Sequence, residues 1–264
     1  MLNHHPVSWV RCAWLGARLA RRLSNWAEVF PRFIAGQPLP ELRLRNGVVL
    51  QHAPGDAPVQ LLFEIFADGA YRRHVPGPWR GTVIDIGGNI GATAIDLSYG
   101  RPDLHVHCYE PSPETRTMLS RNIAGNRLGD RVTVFDEAVG RAPGRLRLWV
   151  NGPSIAATAY SQDAPFPGCT PVEVPVIGLD DCLKRVTQGP VVLLKIDAEG
   201  AEADILEGTD PAAFARIGNV ALEYHNDLCP KADERCHAVL KQAGYRCERV
   251  AAELHRGMIY GWRK

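Results

Sequence analysis

The residues of this chain with the clearest chemical potential form a glycine-rich turn. Its pattern is D-x-G-x-N-x-G, supplied by Asp85, Gly87, Asn89 and Gly91, and it overlaps the end of a β-branched run at residues 82–86. Glycines at a strand-to-helix turn let the backbone bend tightly and approach a ligand closely, because no Cβ atom stands in the way. The pattern therefore predicts a ligand-binding turn followed by a helix that begins near Gly91.

An acidic residue after the next apolar run indicates the kind of ligand. Residues 106–109 lead directly into Glu110 and Pro111, twenty-odd residues after the turn. An acidic side chain at that offset is placed to accept hydrogen bonds from the two hydroxyls of a ribose. The turn and Glu110 together predict an adenosine-containing cofactor. The alternative is an ordinary turn that binds no nucleotide.

Missing motifs narrow the choice of cofactor. The two later glycine positions of a dinucleotide fingerprint hold Asn89 and Ala92, and no G-x-x-x-x-G-K-[ST] phosphate loop occurs. Asp85 ahead of the turn can pair with an ammonium group, and the N–H groups of the turn can bind a carboxylate. The sequence therefore favours a cofactor with an amino-acid tail, which S-adenosylmethionine has.

Charged side chains also follow two later apolar runs. Residues 193–202 read L-L-K-I-D-A-E-G-A-E, and residues 222–225 read L-E-Y-H. In a parallel sheet the ends of these two strands lie near the cofactor turn. We therefore expect one crevice to collect four side chains: Asp197, Glu199, Glu223 and His225.

The chemistry expected of this crevice is proton removal from an acceptor. Clustered carboxylates raise one another's pKa, and a histidine beside them can act as a general base. Asp197 is the first candidate for orienting or deprotonating an acceptor hydroxyl and His225 the second, with Glu199 and Glu223 positioning them. The structural alternatives are a hydrogen-bonded His225 and a Glu202 favoured by the helix dipole. Magnesium or manganese would also suit these ligands, and the spacing does not decide whether a divalent cation binds.

Composition excludes several other classes of protein. The chain has 264 residues, 45% of them hydrophobic, which is enough for one substantial core with an N-terminal appendage. A net charge of +1 gives no sign of a nucleic-acid surface, and no apolar run is long enough to cross a membrane. Seven cysteines without a C-x-x-C pair predict reduced thiols in a cytoplasmic protein.

Strands and helices alternate from residue 81 onward, which predicts a mostly parallel seven-stranded sheet with helices on both faces. The predicted strands are 83–86, 106–109, 132–135, 191–196 and 220–223, with a closing antiparallel hairpin at 245–250 and 258–262. The predicted helices are 91–99, 113–126, 201–207 and 231–242. Residues 145–175 form an insertion with an alternating strand at 146–150 and a loop rich in Ser, Ala, Pro and Gly.

Residues 1–80 are predicted to form an extension that packs on or caps the residue 81–264 domain. Apolar positions at steps of three and four predict one amphipathic helix over 10–33, Asn46-Gly47 predicts a hairpin, and a second helix is expected over 58–73. The first helix could pack on its own domain, form a homodimer interface or substrate lid, or bind a membrane surface. Tyr71 is expected either to close over the cofactor or to pack on the core.

Six motifs in one order make the chain resemble the FkbM-type family of S-adenosylmethionine-dependent methyltransferases over residues 64–224 and beyond. They are Asp85-Ile-Gly-Gly-Asn-Ile-Gly, Tyr109-Glu-Pro-Ser-Pro, Asn122-Ile-Ala-Gly-Asn, Leu179-Asp-Asp, Lys195-Ile-Asp-Ala-Glu-Gly-Ala-Glu and Glu223-Tyr-His. The resemblance implies a class I methyltransferase fold and O-methylation of a sugar, polyketide or similar metabolite. Gly88 departs from the family, which more often has alanine there.

The resulting hypothesis is a methyltransferase whose cofactor lies across the carboxyl ends of the first three strands. The turn would hold the methionine end, Glu110 the ribose, and Glu137 and Ala138 would border the adenine. The partner expected is a small-molecule acceptor, not nucleic acid and not a membrane. Two alternatives remain open: a nucleic-acid methyltransferase, which usually shows a basic face and a target-base motif, and a non-catalytic module that only binds the nucleotide.

Overall fold

The computed structural model describes residues 9–53, 56–77, 79–150, 169–252 and 254–263 of the chain. The strands, in chain order, are β1 Leu42–Arg43, β2 Val49–Leu50, β3 Gly81–Ile86, β4 Leu104–Tyr109, β5 Val132–Phe135, β6 Ala138–Gly140, β7 Gly144–Val150, β8 Thr170–Gly178, β9 Val191–Ile196, β10 Asn219–His225, β11 Arg246–Ala251 and β12 Arg256–Trp262. The α-helices are α1 Trp9–Arg22, α2 Trp26–Ile34, α3 Pro58–Leu61, α4 Ala92–Ser98, α5 Pro113–Gly125, α6 Leu179–Lys184, α7 Glu202–Gly208 and α8 Ala232–Gln242.

Seven of these strands form one central sheet in the order β11-β12-β10-β9-β3-β4-β5. The four pairings from β10 to β5 are parallel, and the two pairings made by β12 are antiparallel. The predicted seven-stranded sheet with its closing hairpin at one edge is therefore confirmed. The carboxyl ends of β3, β4, β9 and β10 lie along one rim of the sheet, which is where ligands bind in open α/β folds.

Each face of the sheet has its own hydrophobic core. Val83 and Leu193 pack in a cluster with α4, α5 and the N-terminal region, while Ile84 and Leu194 pack in a second cluster with α6, α7 and α8. Successive residues of a strand point to opposite faces, so a strand buried on both sides must be apolar throughout. This is why the uninterrupted apolar runs identified the central strands. All seven cysteines are free thiols, as predicted.

The N-terminal segment forms two helices, so the prediction of one helix over residues 10–33 was wrong. The chain turns between α1 and α2, where the side chain of Asn25 binds β1: its Nδ2 donates to the Glu41 carbonyl at 2.8 Å, and its Oδ1 accepts from the Arg43 N–H at 3.1 Å. Leu23 is fully buried at this turn. The apolar spacing continues across the break because both helices bury a face against the same core. No described helix combines the length and the apolar character required to span a membrane.

Two asparagines of α5 hold the β1–β2 hairpin against the main domain. Asn126 accepts from the Val49 N–H at 2.9 Å and donates to the Val49 carbonyl at 2.7 Å. Asn122 makes the same pair of bonds with Gln51, at 2.7 and 2.9 Å, and its Nδ2 also donates to the Ile90 carbonyl at 2.8 Å. Residues four apart lie on one helix face, so the two amides act as a short ladder along β2. The spacing of the N-x-x-x-N motif therefore has a structural explanation.

The helix predicted over residues 58–73 is shorter and irregular. After α3 the chain continues as a π-helical segment, Leu62–Ala67, and Gly69 then adopts a left-handed conformation with φ of +64° that cannot continue the helix. Tyr71 follows in a turn and is buried, with 4% of its surface exposed. The wider π turn is a known feature of helices near functional sites.

The predicted insertion belongs to a separate three-stranded sheet with the order β6-β8-β7. All of β7 pairs antiparallel with residues 170–176 of β8, and β6 pairs parallel to the end of β8. The sequence indicated the strand that became β7 but not β6, β8 or helix α6. The loop expected after residue 150 lies largely outside the described residues.

Candidate active site

The glycine-rich turn after β3 packs directly against the chain at residue 197. Gly87 has a φ of +75°, and a Cβ atom placed on it would lie 1.8 Å from the carbonyl oxygen of Asp197. The Asp197 N–H in turn donates to the Ile86 carbonyl at 3.1 Å. Glycine is therefore required at position 87, because any side chain would push the two strand ends apart. Asn89 is also left-handed, with φ of 47°.

Asp85 lies beneath this turn and not in a cavity. It is fully buried, and its Oδ1 is 3.0 Å from the Nζ of Lys195. Lys195 also donates to the carbonyl oxygens of Ile86 at 3.0 Å and Gly87 at 2.5 Å. The expectation that Asp85 pairs with a cofactor ammonium therefore needs correction. Its charge is neutralised by a buried lysine, and the pair fixes the turn from below.

Glu110 is held at the end of β4 with its carboxylate facing a cavity. Its two oxygens accept from the N–H groups of Asn89 and Ser112, both at 2.9 Å. Burial raises the pKa of Glu110 to about 7, although these two hydrogen bonds favour its charged form. Each oxygen keeps a free lone pair, so the carboxylate can still accept hydrogen bonds from a ligand hydroxyl.

A first cavity lies over the ends of β3 and β4, between Glu110 and the small sheet. Apolar side chains cover the side that faces the small sheet, and they include Ala138, Val139, Leu146 and Leu148. Ala138 is thus found where the sequence predicted it. Glu137 is not among the lining residues: its carboxylate forms a two-pronged ion pair with Arg185, at 2.6 and 3.1 Å. Gly91 also lies outside the cavity, where it precedes α4 with φ of +89°.

A second cavity opens on the other side of the turn and contains all four of the predicted catalytic side chains. It is lined by Asp197, Glu199, Glu223 and His225, together with Tyr71 and Lys195. The N-terminal region of the chain contributes a further part of the lining: Ala57, Gln60, Leu61, Glu64 and Ile65. Gly87, Asn89, Asp197 and Glu199 line both cavities, so the two spaces adjoin at the turn.

Asp197 is the side chain that connects the two cavities. The hydroxyl of Tyr71 donates to its Oδ2 at 2.9 Å and lies 3.4 Å from Glu223. The Nζ of Lys195 lies 4.0 Å from the same Oδ2 and 5.1 Å from the centre of the Tyr71 ring. The side chain of Asp197 keeps 27% of its surface exposed. One carboxylate oxygen is thus fixed by protein groups while the side chain still reaches the cavity.

His225 is buried and firmly oriented. Its Nδ1 lies 2.9 Å from the Oε1 of Glu202, and that oxygen also accepts from the N–H groups of Ala198 and Gly200. Burial by itself would lower the pKa of His225, but Glu202 and the nearby carboxylates outweigh it and raise the pKa to about 9. A histidine that already carries its proton at neutral pH is a poor general base. The role of His225 as the general base stays a prediction, and its raised pKa argues against it.

The remaining carboxylates crowd the same space. Burial raises the pKa of Glu199 to about 6, and the charge of Asp197 adds to the effect. The same two causes raise the pKa of Glu223 to about 8. Burial and the charge of Asp197 also raise the pKa of Glu64. These three carboxyls of the second cavity, Glu64, Glu199 and Glu223, therefore hold their protons to a higher pH than exposed carboxyls do.

Sequence reasoning missed two charged residues of this cavity. Glu64 comes from the π-helical segment, and Arg256 begins β12, where its guanidinium lies 3.9 Å from Glu199 and 2.8 Å from Asp227. Neither residue stands in a motif, and neither follows a parallel strand. Only the docking of the N-terminal region and the closing hairpin brings them to the site.

Comparison with known proteins agrees with this geometry. A family model described as the methyltransferase FkbM domain matches residues 85–247, which is more than half of the chain. The chain belongs to the FkbM methyltransferase family. The matched region contains the turn, Glu110, Asp197 and His225, whereas Glu64, Tyr71 and Arg256 lie outside it.

Individual FkbM relatives support the assignment. The chain is 30% identical to the 31-O-demethyl-FK506 methyltransferase FkbM of Streptomyces tacrolimicus, over 70% of this chain and 81% of that protein. It is 27% identical to methyltransferase sdnD of Sordaria araneosa, over 72% and 83% of the two chains. The crystal structure of methyltransferase FkbM from Methylobacillus flagellatus KT shares the fold with a TM-score of 0.50 and 17% identity, covering 96% of this chain and 59% of that one.

Proposed function

We propose that this FkbM family member uses S-adenosylmethionine to methylate a hydroxyl group of a small-molecule acceptor. The observation that carries the proposal is the pair of adjoining cavities that meet at Asp197. One cavity has the groups that suit an adenosine, and the other has the groups that suit an acceptor. A methyl donor bound across the turn would thus face the acceptor cavity.

The lining of the first cavity suits an adenosine chemically. Glu110 offers a buried carboxylate for the ribose hydroxyls, and Ala138, Leu146 and Leu148 offer an apolar surface for the adenine ring. The turn that separates the cavities would hold the methionine end through its backbone, because Gly87 leaves no side chain in the way. Asp85 acts indirectly, through the lysine that fixes this turn.

The chemistry requires positioning and the removal of one proton. When bound, S-adenosylmethionine supplies an electrophilic methyl group on sulfur, and its transfer to an acceptor oxygen releases the hydroxyl proton. Asp197 takes that proton on Oδ1, because Oδ2 is occupied by the Tyr71 hydroxyl. The Nε2 of His225 lies 3.9 Å from Oδ1, which places this histidine beside the oxygen that takes the proton. Glu199 and Glu223, which line the same cavity, would position the acceptor.

The acceptor class follows from the charge of the chain and from the relatives. The Streptomyces relative is named for an O-demethyl form of FK506, which is a small molecule. A net charge of +1 gives no basic surface for a nucleic acid, which argues against the nucleic-acid alternative. We therefore infer O-methylation of a sugar or natural-product hydroxyl.

Asp197→Asn tests the function, because it keeps the shape and the hydrogen bond from Tyr71 but removes the proton acceptor. We expect methyl transfer to fall by about 10²–10⁴-fold, measured with labelled methyl donor against a pool of glycosylated metabolites. Affinity for S-adenosylhomocysteine, measured by calorimetry, should stay within about threefold.

Asp181→Asn is the matched control, because Asp181 is paired with Lys184 on α6 and lies away from both cavities. It should leave transfer and cofactor binding unchanged. Full activity in the Asp197 variant would remove Asp197 from the mechanism. A wild-type protein that binds S-adenosylhomocysteine but transfers no methyl group would be the non-catalytic alternative, and one that fails to bind it would have another ligand.

A further inference from the structure

Three side chains of the second cavity converge on one point. Asp197, Glu223 and His225 each direct one potential ligand atom there, and within the described parts of the chain these atoms all lie within 4.8 Å of one another. Two oxygens bound to one magnesium ion at its usual bond length lie at most about 4.2 Å apart. Small rotations of the side chains would therefore bring all three atoms to bonding distance.

The orientation of His225 is independent evidence for a ligand. The side chain is 1% exposed, and its Nδ1 is tied to Glu202, which two backbone N–H groups hold in place. Its Nε2 faces the cavity and forms no hydrogen bond within the described residues, although the carboxylates of Glu199 and Asp197 lie 3.6 and 3.9 Å away. Histidines that bind metals usually donate their other ring N–H to a carboxylate in this way.

The charge balance of the cavity also favours a cation. Glu64 lines it together with Asp197, Glu199 and Glu223. Besides His225, the basic side chains that line it already have other partners: Lys195 pairs with buried Asp85 at 3.0 Å, and Arg256 with Asp227 at 2.8 Å. Carboxylates gathered in a partly buried space without matching positive charge are stabilised by a bound cation.

We propose that Asp197, Glu223 and His225 bind one divalent cation of the magnesium and manganese class. Two carboxylates and one neutral imidazole suit these ions, and the bound cation would displace the proton from Nε2 of His225. Three protein ligands leave coordination positions free for water or an acceptor oxygen. The inference rests on the proposed function in one respect: the cation would hold the acceptor hydroxyl beside the cofactor turn. Asp197 would then orient the acceptor through the cation.

Manganese binding tests the site directly, without any acceptor. Full-length protein is treated with EDTA, exchanged into chelator-free buffer and titrated with MnCl2, and the free ion is followed by electron paramagnetic resonance. We expect one bound equivalent per chain, displaced by excess MgCl2. Electron spin-echo modulation of the bound ion should show one directly bound imidazole nitrogen.

Two variants locate the ion, and one controls for charge. Glu223→Gln and His225→Gln should each weaken manganese binding by about tenfold or more. Glu64→Gln removes a carboxyl group from the same cavity, as Glu223→Gln does, but it removes no proposed ligand. Its affinity for manganese should therefore fall by less than about threefold. Circular dichroism checks that each variant folds. If His225→Gln does not fold, the nitrogen signal of the unmodified protein shows whether a histidine binds the manganese ion.

The outcomes separate this proposal from the proposed function. Three results would each overturn the cation site: less than one bound manganese per chain, no imidazole nitrogen signal, or a fall in manganese affinity in Glu64→Gln as large as that in Glu223→Gln. S-adenosylhomocysteine is titrated into the same metal-free sample by calorimetry. If it binds while manganese does not, the cation is wrong and the methyltransferase proposal stands. If manganese binds while S-adenosylhomocysteine does not, the cation site stands and the methyltransferase proposal is wrong.

Discussion

Asp197 serves both cavities at once, and this makes it the residue with the least freedom to change. Its main chain closes over Gly87, its Oδ2 accepts from Tyr71, and its remaining oxygen faces the acceptor space. A larger side chain would block both cavities, and a shorter one would leave the Tyr71 hydroxyl buried without its acceptor. Under the proposed function, Asp197 therefore links the cofactor and acceptor halves of the site, together with Asn89 and Glu199, which also line both cavities.

Glu110 should make cofactor binding depend on pH. Its carboxyl, with a pKa of about 7, is ionised above that pH and can then accept from both ribose hydroxyls. As the pH falls from 8 to 6 the carboxyl gains a proton and loses acceptor capacity, so affinity for S-adenosylhomocysteine should fall by about tenfold. Calorimetry at several pH values measures this.

Glu110→Gln isolates the contribution of this residue, because other groups in the site also titrate. The variant should bind S-adenosylhomocysteine more weakly at pH 8 and with a flatter pH profile. If its profile has the same slope as that of the unmodified protein, the ribose role of Glu110 is wrong.

Gly88 differs from the family pattern because Cys108 occupies the space. A Cβ on Gly88 would lie 2.2 Å from the sulfur of Cys108 and 3.0 Å from Leu119. Gly88→Ala should therefore cost about 1–3 kcal/mol of unfolding free energy, measured in urea. In a Cys108→Ala background the same change should cost much less, because the sulfur is gone. Equal costs in the two backgrounds would show that the alanine clashes with something else.

Residues at strand ends were predictable, and residues with distant partners were not. Asp197 and Glu199 follow β9, and Glu223 and His225 lie at the end of β10. A parallel sheet brings such ends together, so the sequence placed all four in one crevice correctly. The roles assigned to Asp85 and Glu137 failed because each is neutralised by a partner, Lys195 or Arg185, that no local spacing reveals.

At the scale of elements, the β1–β2 hairpin is tied to the cofactor turn through one helix. Asn122 bonds both Gln51 and the Ile90 carbonyl, whereas Asn126 bonds only Val49 and its own helix. Asn122→Ala and Asn126→Ala should each cost about 1–3 kcal/mol of unfolding free energy. Hydrogen exchange should show the Gln51 amide exposed in the first variant and the Val49 amide in the second.

The same pair of variants tests the connection to the cofactor. Asn122→Ala should weaken S-adenosylhomocysteine binding several-fold, by about 1 kcal/mol, because Ile90 loses a partner in the turn. Asn126→Ala should not. Equal effects on affinity would mean that the hairpin, and not the Asn122 to Ile90 bond, supports the turn.

Elements with a long uniform pattern were predicted better than those set by tertiary contacts. The central strands and helices α4, α5, α7 and α8 were found within a few residues, because each has a continuous apolar face. The break between α1 and α2 was missed because Asn25 makes it by bonding β1. The small sheet was missed because β6 is three residues long and β8 carries two prolines.

For the whole molecule, ligand binding and hairpin docking should contribute separately to stability. S-adenosylhomocysteine at about a hundred times its dissociation constant should stabilise the protein by about 2.7 kcal/mol. The cost of Asn126→Ala should be the same with and without the ligand, within about 0.5 kcal/mol, because Asn126 contacts neither cavity. Thermal unfolding of both proteins, with and without ligand, checks this. A cost that changes with ligand would mean that the N-terminal region closes on binding.

The division at residue 80 and the homodimer expected through the first helix stay predictions. The structure shows that the N-terminal region shares a core with the main domain: Leu19, Leu23 and Leu42 are fully buried in the same cluster as Val83 and Leu119. The extension is thus part of the folded unit. Its removal would expose apolar surface on α4 and α5.

One wall of the second cavity, formed by Ala57, Gln60 and Leu61, precedes the region that matches the FkbM family. Under the proposed function, the N-terminal stretch of the chain therefore supplies one wall of the acceptor space, while Asp197, Glu223 and His225 come from the matched region. A chimaera that carries the first eighty residues of another member on this catalytic half would inherit that member's choice of substrate. Directed evolution aimed at new products should concentrate its mutations there and leave the strand-end acids untouched.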